Sequence, residues 1–520
     1  MELLELLEIK FLQKIPLHPF LFGIFPILSL YESSMKFIPE TELIFPLSII
    51  LSITALFLIV FKKLFKKLFK NNHKSEIIVS ILIFFGLIYG SVYFLLDDFH
   101  IDEFDFGKHR YLLPIGFLII AVGIYFILKQ NNDFNSLHKI LNLISLIMVL
   151  VIISNILYYE ISVFKNLEIG EEIKILTNSN SKPDVYFILL DGYPGEDSLK
   201  KIIGFDNDEF ISNMEGIGFF NQKKSYANYP HTFLSIPSML NMKYLNYLDE
   251  MLMQTRDQSI PYSLGSNSEV ITIANDLGYL TISFDSGWGF TRDIKNTDLN
   301  LCGDNQFLNS EFMINIVKRS ILNPIYVKIY ETDLAEMRLC VLNELPLIHD
   351  RSDSPKFVFA HIFMPHPPYI FDEFGNLNEL KTIEPNLENE INLNQDLFLN
   401  QLKFVNHKIY DISKKIIEQN NDAIIIISSD HGTAFTFEGK KENWNNATNE
   451  MISERMDILF LSYTPNQEKI LYENVHTPVN FFRVFFSHYH NLDFPILPDA
   501  VYFGEDGYYN LINKTELFFN

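Results

Sequence analysis

The chain is short of cysteine and of positive charge. Cys302 and Cys340 are the only two cysteines in 520 residues, which allows at most one bridge in an oxidising compartment; two cysteines in a large domain need not pair at all. Lys and Arg number 41 against 64 acids, a formal charge of -23. This excludes a broad nucleic-acid surface, because phosphate backbones are held through a positive footprint. No small-residue cleavage site follows the first apolar run, so a removable signal peptide is not expected. No internal repeat or low-complexity tract organises the sequence, although an asparagine-rich stretch at 383–396 reads as a surface excursion.

Apolar residues crowd the first 160 positions instead of being spread evenly. Five strongly apolar runs, near 17–31, 43–61, 77–96, 111–128 and 140–157, are close to the length at which a helix satisfies its own backbone while crossing hydrocarbon. The first is short and contains Pro19 and Pro26. The loop after the second run carries Lys62, Lys63, Lys66, Lys67, Lys70 and Lys74, whereas the next loop reads DDFHIDEFDFGKHR. Positive loops stay inside, so the expected topology is multi-pass in the cytoplasmic membrane, with the N-terminus inside and everything beyond about 160 outside. Phe61, Leu64, Phe65, Leu68 and Phe69 give the lysine-rich turn an apolar side that suits the inner leaflet.

The expected domains are a membrane region over 1–160, a polar linker over 161–182 and an outer α/β domain over 183–520. In the last, PDVYFILLDGYPG and DAIIIISSDHG each hold an unbroken apolar run of strand length ending at an acid, a pattern suited to central parallel strands covered on both faces. Further strands are expected at 280–284, 356–360 and 458–463, with helices near 198–216, 267–277, 395–419 and 480–486. Ligands of open parallel sheets bind beyond the carboxyl ends of the strands. Asp191 and the Asp430-His431-Gly432 turn are therefore placed to meet.

An acid and an adjacent imidazole offer a hard oxygen and a borderline nitrogen to one divalent ion, and Asp191 adds a second oxygen. Standing alone, an acid at a strand end followed by glycine can simply terminate the strand. Between the two motifs lies SYANYPHTFLSIPSMLN, with Thr232 and Ser235 after a proline-bearing turn and ahead of a helix. A hydroxyl is a weak nucleophile that metal coordination activates, and Thr232 is the residue expected to be covalently modified. Capping that helix is the bland role of such a threonine, and the positive helix end would favour a bound phosphate too. Asp285, Trp288 and Arg292 after one strand, and Arg455 before another, are secondary candidates for a head-group pocket or a phosphate contact.

The order of Asp191, Thr232 and Asp430-His431-Gly432, with FVFAHIFMPHPPY between them, resembles the alkaline phosphatase and sulfatase superfamily. With the preceding spans, the chain looks like the lipoteichoic acid synthases and phosphoethanolamine transferases. The stretch GIGFFNQKKSYANYPHT puts Thr232 where sulfatases have their modified cysteine, and Ser235 where they have a later serine. Formylglycine is made from cysteine or serine, so threonine there implies phosphoryl-type transfer. The resemblance implies a divalent ion, Mn²⁺ or Zn²⁺, held by Asp191, Thr232, Asp430 and His431. It allows a second ion, with His361, His366 and His476 as candidates; His366 and His476 are the candidate acid-base groups. The implied reaction moves a phospho-linked head group from a phospholipid or lipid-linked donor to a glycan or lipid acceptor. A membrane-anchored phosphatase, phosphodiesterase or sulfatase-like hydrolase is the alternative enzyme, and an inactive scaffold with the same fold is the alternative from another class.

Overall fold

The computed structural model describes residues 15–36, 38, 40–65, 73–96, 100–101, 104–105, 108–130, 132–164, 182–252, 257–292, 294–303, 311–378, 394–504 and 508–519. Most of the polar bridge at 160–180, the asparagine-rich excursion up to 393 and the lysine-rich turn from 66 to 72 lie outside the described residues. The chain forms two compact units: Met1–Ile169 with Leu308–Tyr330, and Gly170–Phe307 with Glu331–Asn520.

The first unit contains α1 (Leu17–Ser34), α2 (Ile44–Phe65), α3 (His73–Leu96), α4 (His109–Lys129) and α5 (Asn135–Phe164). Four stretches, Ile44–Leu64, His73–Leu96, His109–Lys129 and Asn135–Ile161, are long and apolar enough to cross a membrane. The 18-residue α1 packs against α2, α3 and α5. Its Gly23 lets the side chains of Ile50 and Ile83 come within 3.1–3.2 Å of where a Cβ would sit. On α4 no residue is buried, and Phe117, Leu118 and Ile119 are exposed. Such a surface is costly against water and suited to hydrocarbon.

The helix Glu311–Arg319 belongs to this unit although it lies far along the chain. Two glycines one helical turn apart on α3 seat the segment. A Cβ on Gly90 would fall 2.0 Å from the Lys318 carbonyl oxygen, and the Ile321 amide donates to the Gly86 carbonyl at 2.6 Å. Small residues at this spacing are what let backbones approach so closely. Phe312 meets Tyr31 edge-on at 6.0 Å.

The second unit is built on a seven-stranded sheet. Its strands are β1 (Val185–Leu190), β2 (Phe220–Asn221), β3 (Leu280–Phe284), β4 (Leu299–Leu301), β5 (Lys356–Ile362), β6 (Ile424–Ser429) and β7 (Phe460–Tyr463), in the order β2-β7-β6-β1-β5-β3-β4. All pairings among β1, β3, β4, β5 and β6 are parallel, and β7 and β2 are added antiparallel. The sheet is thus α/β and mostly parallel, as the alternation of apolar runs and helical segments implies. Every residue of β1, β5 and β6 is buried, which explains why these strands read as unbroken apolar runs. Phe187 and Phe357 pack on Phe482 of the helix Phe481–His490.

Register decides what happens next. Leu190 pairs with Ile362 on one side and with Ser429 on the other. The three central strands therefore end level, and the residues that follow them emerge at one edge of the sheet. Cys302 and Cys340 form a disulfide across 38 residues, closing the base of the excursion that carries Glu311–Arg319.

Candidate metal centre and active site

Asp191 follows β1 directly and is fully buried, with its amide donating to Ile362 O at 3.0 Å. Gly192 then turns the chain at φ +69°, a conformation most side chains resist. Asp430 follows β6 and is equally buried; its Oδ1 accepts the Gly192 amide at 3.1 Å. The tight turn requires Gly432, where a Cβ would sit 2.2 Å from the Glu454 carbonyl oxygen. Thr232 opens the helix Thr232–Leu240, with His231 at its N-cap. Its Oγ1 lies 3.2 Å from His431 Nε2.

His431 Nδ1 donates to the Gly432 carbonyl at 2.9 Å, which leaves Nε2 with its lone pair directed away from that bond. That nitrogen lies 3.3 Å from Asp430 Oδ2 and 3.8 Å from Asp191 Oδ1. Ligand atoms of Asp191, Asp430 and His431 all fall within 4.8 Å of one another. Four ligands at about 2.1 Å in a tetrahedron stand roughly 3.4 Å apart, so the spacing fits a cation with the Thr232 hydroxyl as fourth donor.

The charge balance points the same way. Asp191 Oδ1 and Asp430 Oδ2 are buried without a hydrogen-bond partner, and leaving such atoms bare is costly unless a cation compensates them. Burial, and then the charge on Asp191, push Asp430 up to about 6. Burial would raise Asp191 as well, but His366 and the hydrogen bond from His361 outweigh it and hold that carboxyl well below its ordinary range. His431 is pushed far below the usual imidazole range by burial and then by Arg455, so it presents the neutral ring that a metal needs.

A second cluster with ligand-like spacing lies in the first unit: His18, Glu76 and His138. Its chemistry differs. Glu76 Oε1 takes Lys62 Nζ at 2.8 Å, and Oε2 takes His73 Nδ1 at 3.0 Å and His138 Nδ1 at 3.2 Å. The Asn142 side chain accepts the His18 amide on Oδ1 and turns Nδ2 toward His138 Nε2, which puts the His138 proton on Nδ1, facing Glu76. Here protons already occupy the space a metal would take.

The remaining expected residues divide. His361, buried on β5, has Nε2 3.2 Å from Asp191 Oδ2 and Nδ1 2.8 Å from Thr291 Oγ1. The Asp191 carboxylate can only accept, so Nε2–H donates to it and fixes its orientation. His366 borders the centre: its amide donates to the Asp191 carbonyl at 3.0 Å and its ring centroid is 6.2 Å from that of His431. His476 stands elsewhere, with Nδ1 3.1 Å from Gln222 Nε2 and its ring against Phe519. Trp288 lies 6.2 Å from the His361 ring, while Asp285 Oδ1 accepts the Gly287 amide and sits 3.7 Å from Arg292 Nε.

Arg455 is drawn into the centre. Its Nε donates to Pro230 O at 2.6 Å and Nη1 to Gly432 O at 3.0 Å, and its guanidinium lies over Trp444. The neighbouring Glu454 turns away to bind Thr433, Phe435 and Thr436. A cavity of about 210 Å³ opens beside His431, bordered by His366, Arg455, Tyr369, Phe435 and Trp444. Three supporting hydroxyls complete the centre, of which sequence reasoning singled out only Ser235, without its contact. Ser429 donates to His431 O, Ser235 donates to Asp430 O, and Thr291 holds His361. The two serines adjacent to Asp430 in the sequence were the available signal for the first of these.

Fold and centre together define an α/β enzyme with a buried cluster of acids and histidine that could hold a metal ion. The sulfatase family model matches residues 208–490, more than half of the chain, and the chain belongs to that family. No curated protein sequence is similar enough to count as a match. Among solved structures, the C-terminal periplasmic domain of EcEptC from Escherichia coli in complex with Zn is similar at 13% identity and TM-score 0.42, over 65% of this chain and 94% of that one. The integral membrane lipooligosaccharide phosphoethanolamine transferase A from Neisseria meningitidis is similar at 12% identity and TM-score 0.39, over 91% of this chain and 94% of that one.

Proposed function

We propose that the chain transfers a phospho-linked head group from a membrane phospholipid or lipid-linked donor to a surface glycan or lipid, through a phospho-threonine at Thr232. The observation that carries this reading is the Thr232 hydroxyl, 3.2 Å from His431 Nε2 beside two bare buried carboxylate oxygens. A divalent ion, Mn²⁺ or Zn²⁺, held by Asp191, Asp430, His431 and Thr232, would lower the proton affinity of the hydroxyl and withdraw charge from the phosphoryl oxygens.

Thr232 Oγ1 attacks phosphorus and sheds its proton to water, while the bond from phosphorus to the donor alcohol breaks. His366, at the edge of the cavity, gives its proton to the departing oxygen. In the second half the acceptor hydroxyl attacks the same phosphorus, its proton passes to His366, and the Thr232 oxygen leaves with a proton from water. The helix that starts at Thr232 aims its positive end at the phosphoryl group, and Arg455 supports the turn that carries His431. His476 takes no part in these steps.

The membrane unit supports lipid as donor, because tethering replaces a bimolecular search with a high effective concentration. Lys62 and Lys63 at the end of α2 support a cytoplasmic position for that end, with the N-terminus inside and the catalytic unit outside. Family membership keeps a sulfatase-like or phosphodiester hydrolase as the second reading. Purified full-length protein in vesicles of phosphatidylethanolamine or phosphatidylglycerol, with and without an acceptor glycan, separates the two. Transfer predicts that head-group release rises with acceptor; release indifferent to acceptor makes the enzyme a hydrolase.

A further inference from the structure

The first unit carries a cleft of about 350 Å³ whose lining changes character along its length. Phe25, Ser29 and Ser33 line it from one face of α1, four residues apart. From α3 come Ile88 and Ser91, and Arg319 comes from the helix seated on Gly90. The two bundle helices run parallel, since His18 meets Ser80 and Gly23 meets Ile83. Along both of them the lining passes from apolar side chains to hydroxyls toward the C-terminal end, and the exposed Arg319 has its backbone against Gly90, next to Ser91. That gradient matches the two ends of a glycerophospholipid, apolar acyl chains at one and ester oxygens with phosphate at the other. A planar guanidinium matches a phosphate with two parallel N–H donors. The same bundle carries exposed apolar side chains of the kind that face a bilayer.

We infer that this cleft holds one glycerophospholipid, with its phosphate on Arg319, its ester region against Ser29, Ser33 and Ser91, and its chains along Phe25 and Ile88. The site goes beyond the transfer reaction and needs no chemistry at Thr232. It keeps a lipid bound to the unit whether or not that lipid is ever consumed.

The test uses full-length Thr232→Ala protein in mild detergent, so that no lipid is turned over, loaded with phosphatidylglycerol or phosphatidylethanolamine and examined by native mass spectrometry. One lipid per chain is expected to remain. Arg319→Gln, which removes the phosphate partner, and Ser91→Leu, which fills the cleft, are each expected to lower retention about tenfold or more. Excess inorganic phosphate should not displace the lipid. The same two substitutions in the Thr232 background should leave hydrolysis of a small water-soluble phosphodiester unchanged, which shows that they fold. A photoreactive phospholipid on the unsubstituted chain should label peptides of α1, α3 and Glu311–Arg319. Unchanged retention in both variants, displacement by phosphate alone, or labelling confined to other helices overturns the inference and leaves the proposed transfer reaction standing.

Discussion

At the residue scale, the account rests on what each buried side chain can do with its remaining lone pairs. With Thr232 as the proposed nucleophile, Thr232→Ala should lower turnover at least about 10³-fold with little change in thermal stability, while Thr232→Ser keeps measurable activity. Head-group release from vesicles is the readout; activity of the alanine variant near the parent's would remove Thr232 from the mechanism. Asp457 offers a prediction on stability. It accepts the Ser198 amide at 2.9 Å, and burial pushes its carboxyl up to about 7 from an ordinary 3.8. Between those values the folded protein holds a proton that the unfolded chain has released, so stability falls as pH rises through the window. The loss attributable to this one group is on the order of 4 kcal/mol. Asp457→Asn should flatten the decline between about pH 4 and 7 in denaturant unfolding; an equally steep decline in the variant contradicts the assignment.

At the scale of elements, the centre exists because three buried parallel strands end in register and two turns deliver acids there. The backbone at Gly432 has no room for a side chain, with Glu454 and Asp457 carbonyl oxygens 2.2 and 2.7 Å from a built Cβ. Gly432→Ala should therefore cost about 1–3 kcal/mol or more and abolish cation binding together with activity, measured by thermal melting and by metal analysis of the same preparation. These turns were legible in the sequence because an apolar run stopping at an acid and a glycine has few other meanings. Strands at 185–190 and 424–429 follow directly from such runs; the apolar runs at 280–284 and 356–360 also became strands, the latter extending to Ile362. Less legible was anything that depended on register or on a distant partner. Nothing local says that His361 would reach Asp191 through β1–β5 pairing or that Thr291 would hold its other nitrogen. The helix Glu311–Arg319 gave no usable signal either, because its destination is set by Gly86 and Gly90, over 200 positions earlier.

At the scale of the molecule, an apolar helical unit and a sulfatase-family catalytic unit are joined in one chain that passes from the second to the first and back. The Cys302–Cys340 bridge closes that return path over 38 residues, and loop-closure entropy gives it about 4 kcal/mol of stabilisation. A catalytic unit outside the membrane predicts that the bridge is oxidised in cells. Alkylation before and after reduction, read by mass spectrometry, should find both thiols blocked, and free thiols in freshly lysed cells would contradict that side of the membrane. Chelation should remove activity reversibly, with Mn²⁺ or Zn²⁺ restoring it, because Asp191 Oδ1 and Asp430 Oδ2 are buried without a hydrogen-bond partner and a bound cation would compensate them.

The most direct measurement is the intact and peptide mass of the full-length protein after brief exposure to vesicles of a single phospholipid, quenched without acceptor. Convergence of Asp191, Asp430 and His431 on Thr232 predicts one adduct per chain with the mass of that lipid's phospho-head group, located on Thr232 and absent after chelation. An adduct on another residue, or lipid turnover in acceptor-free vesicles with Thr232 never modified, would contradict it.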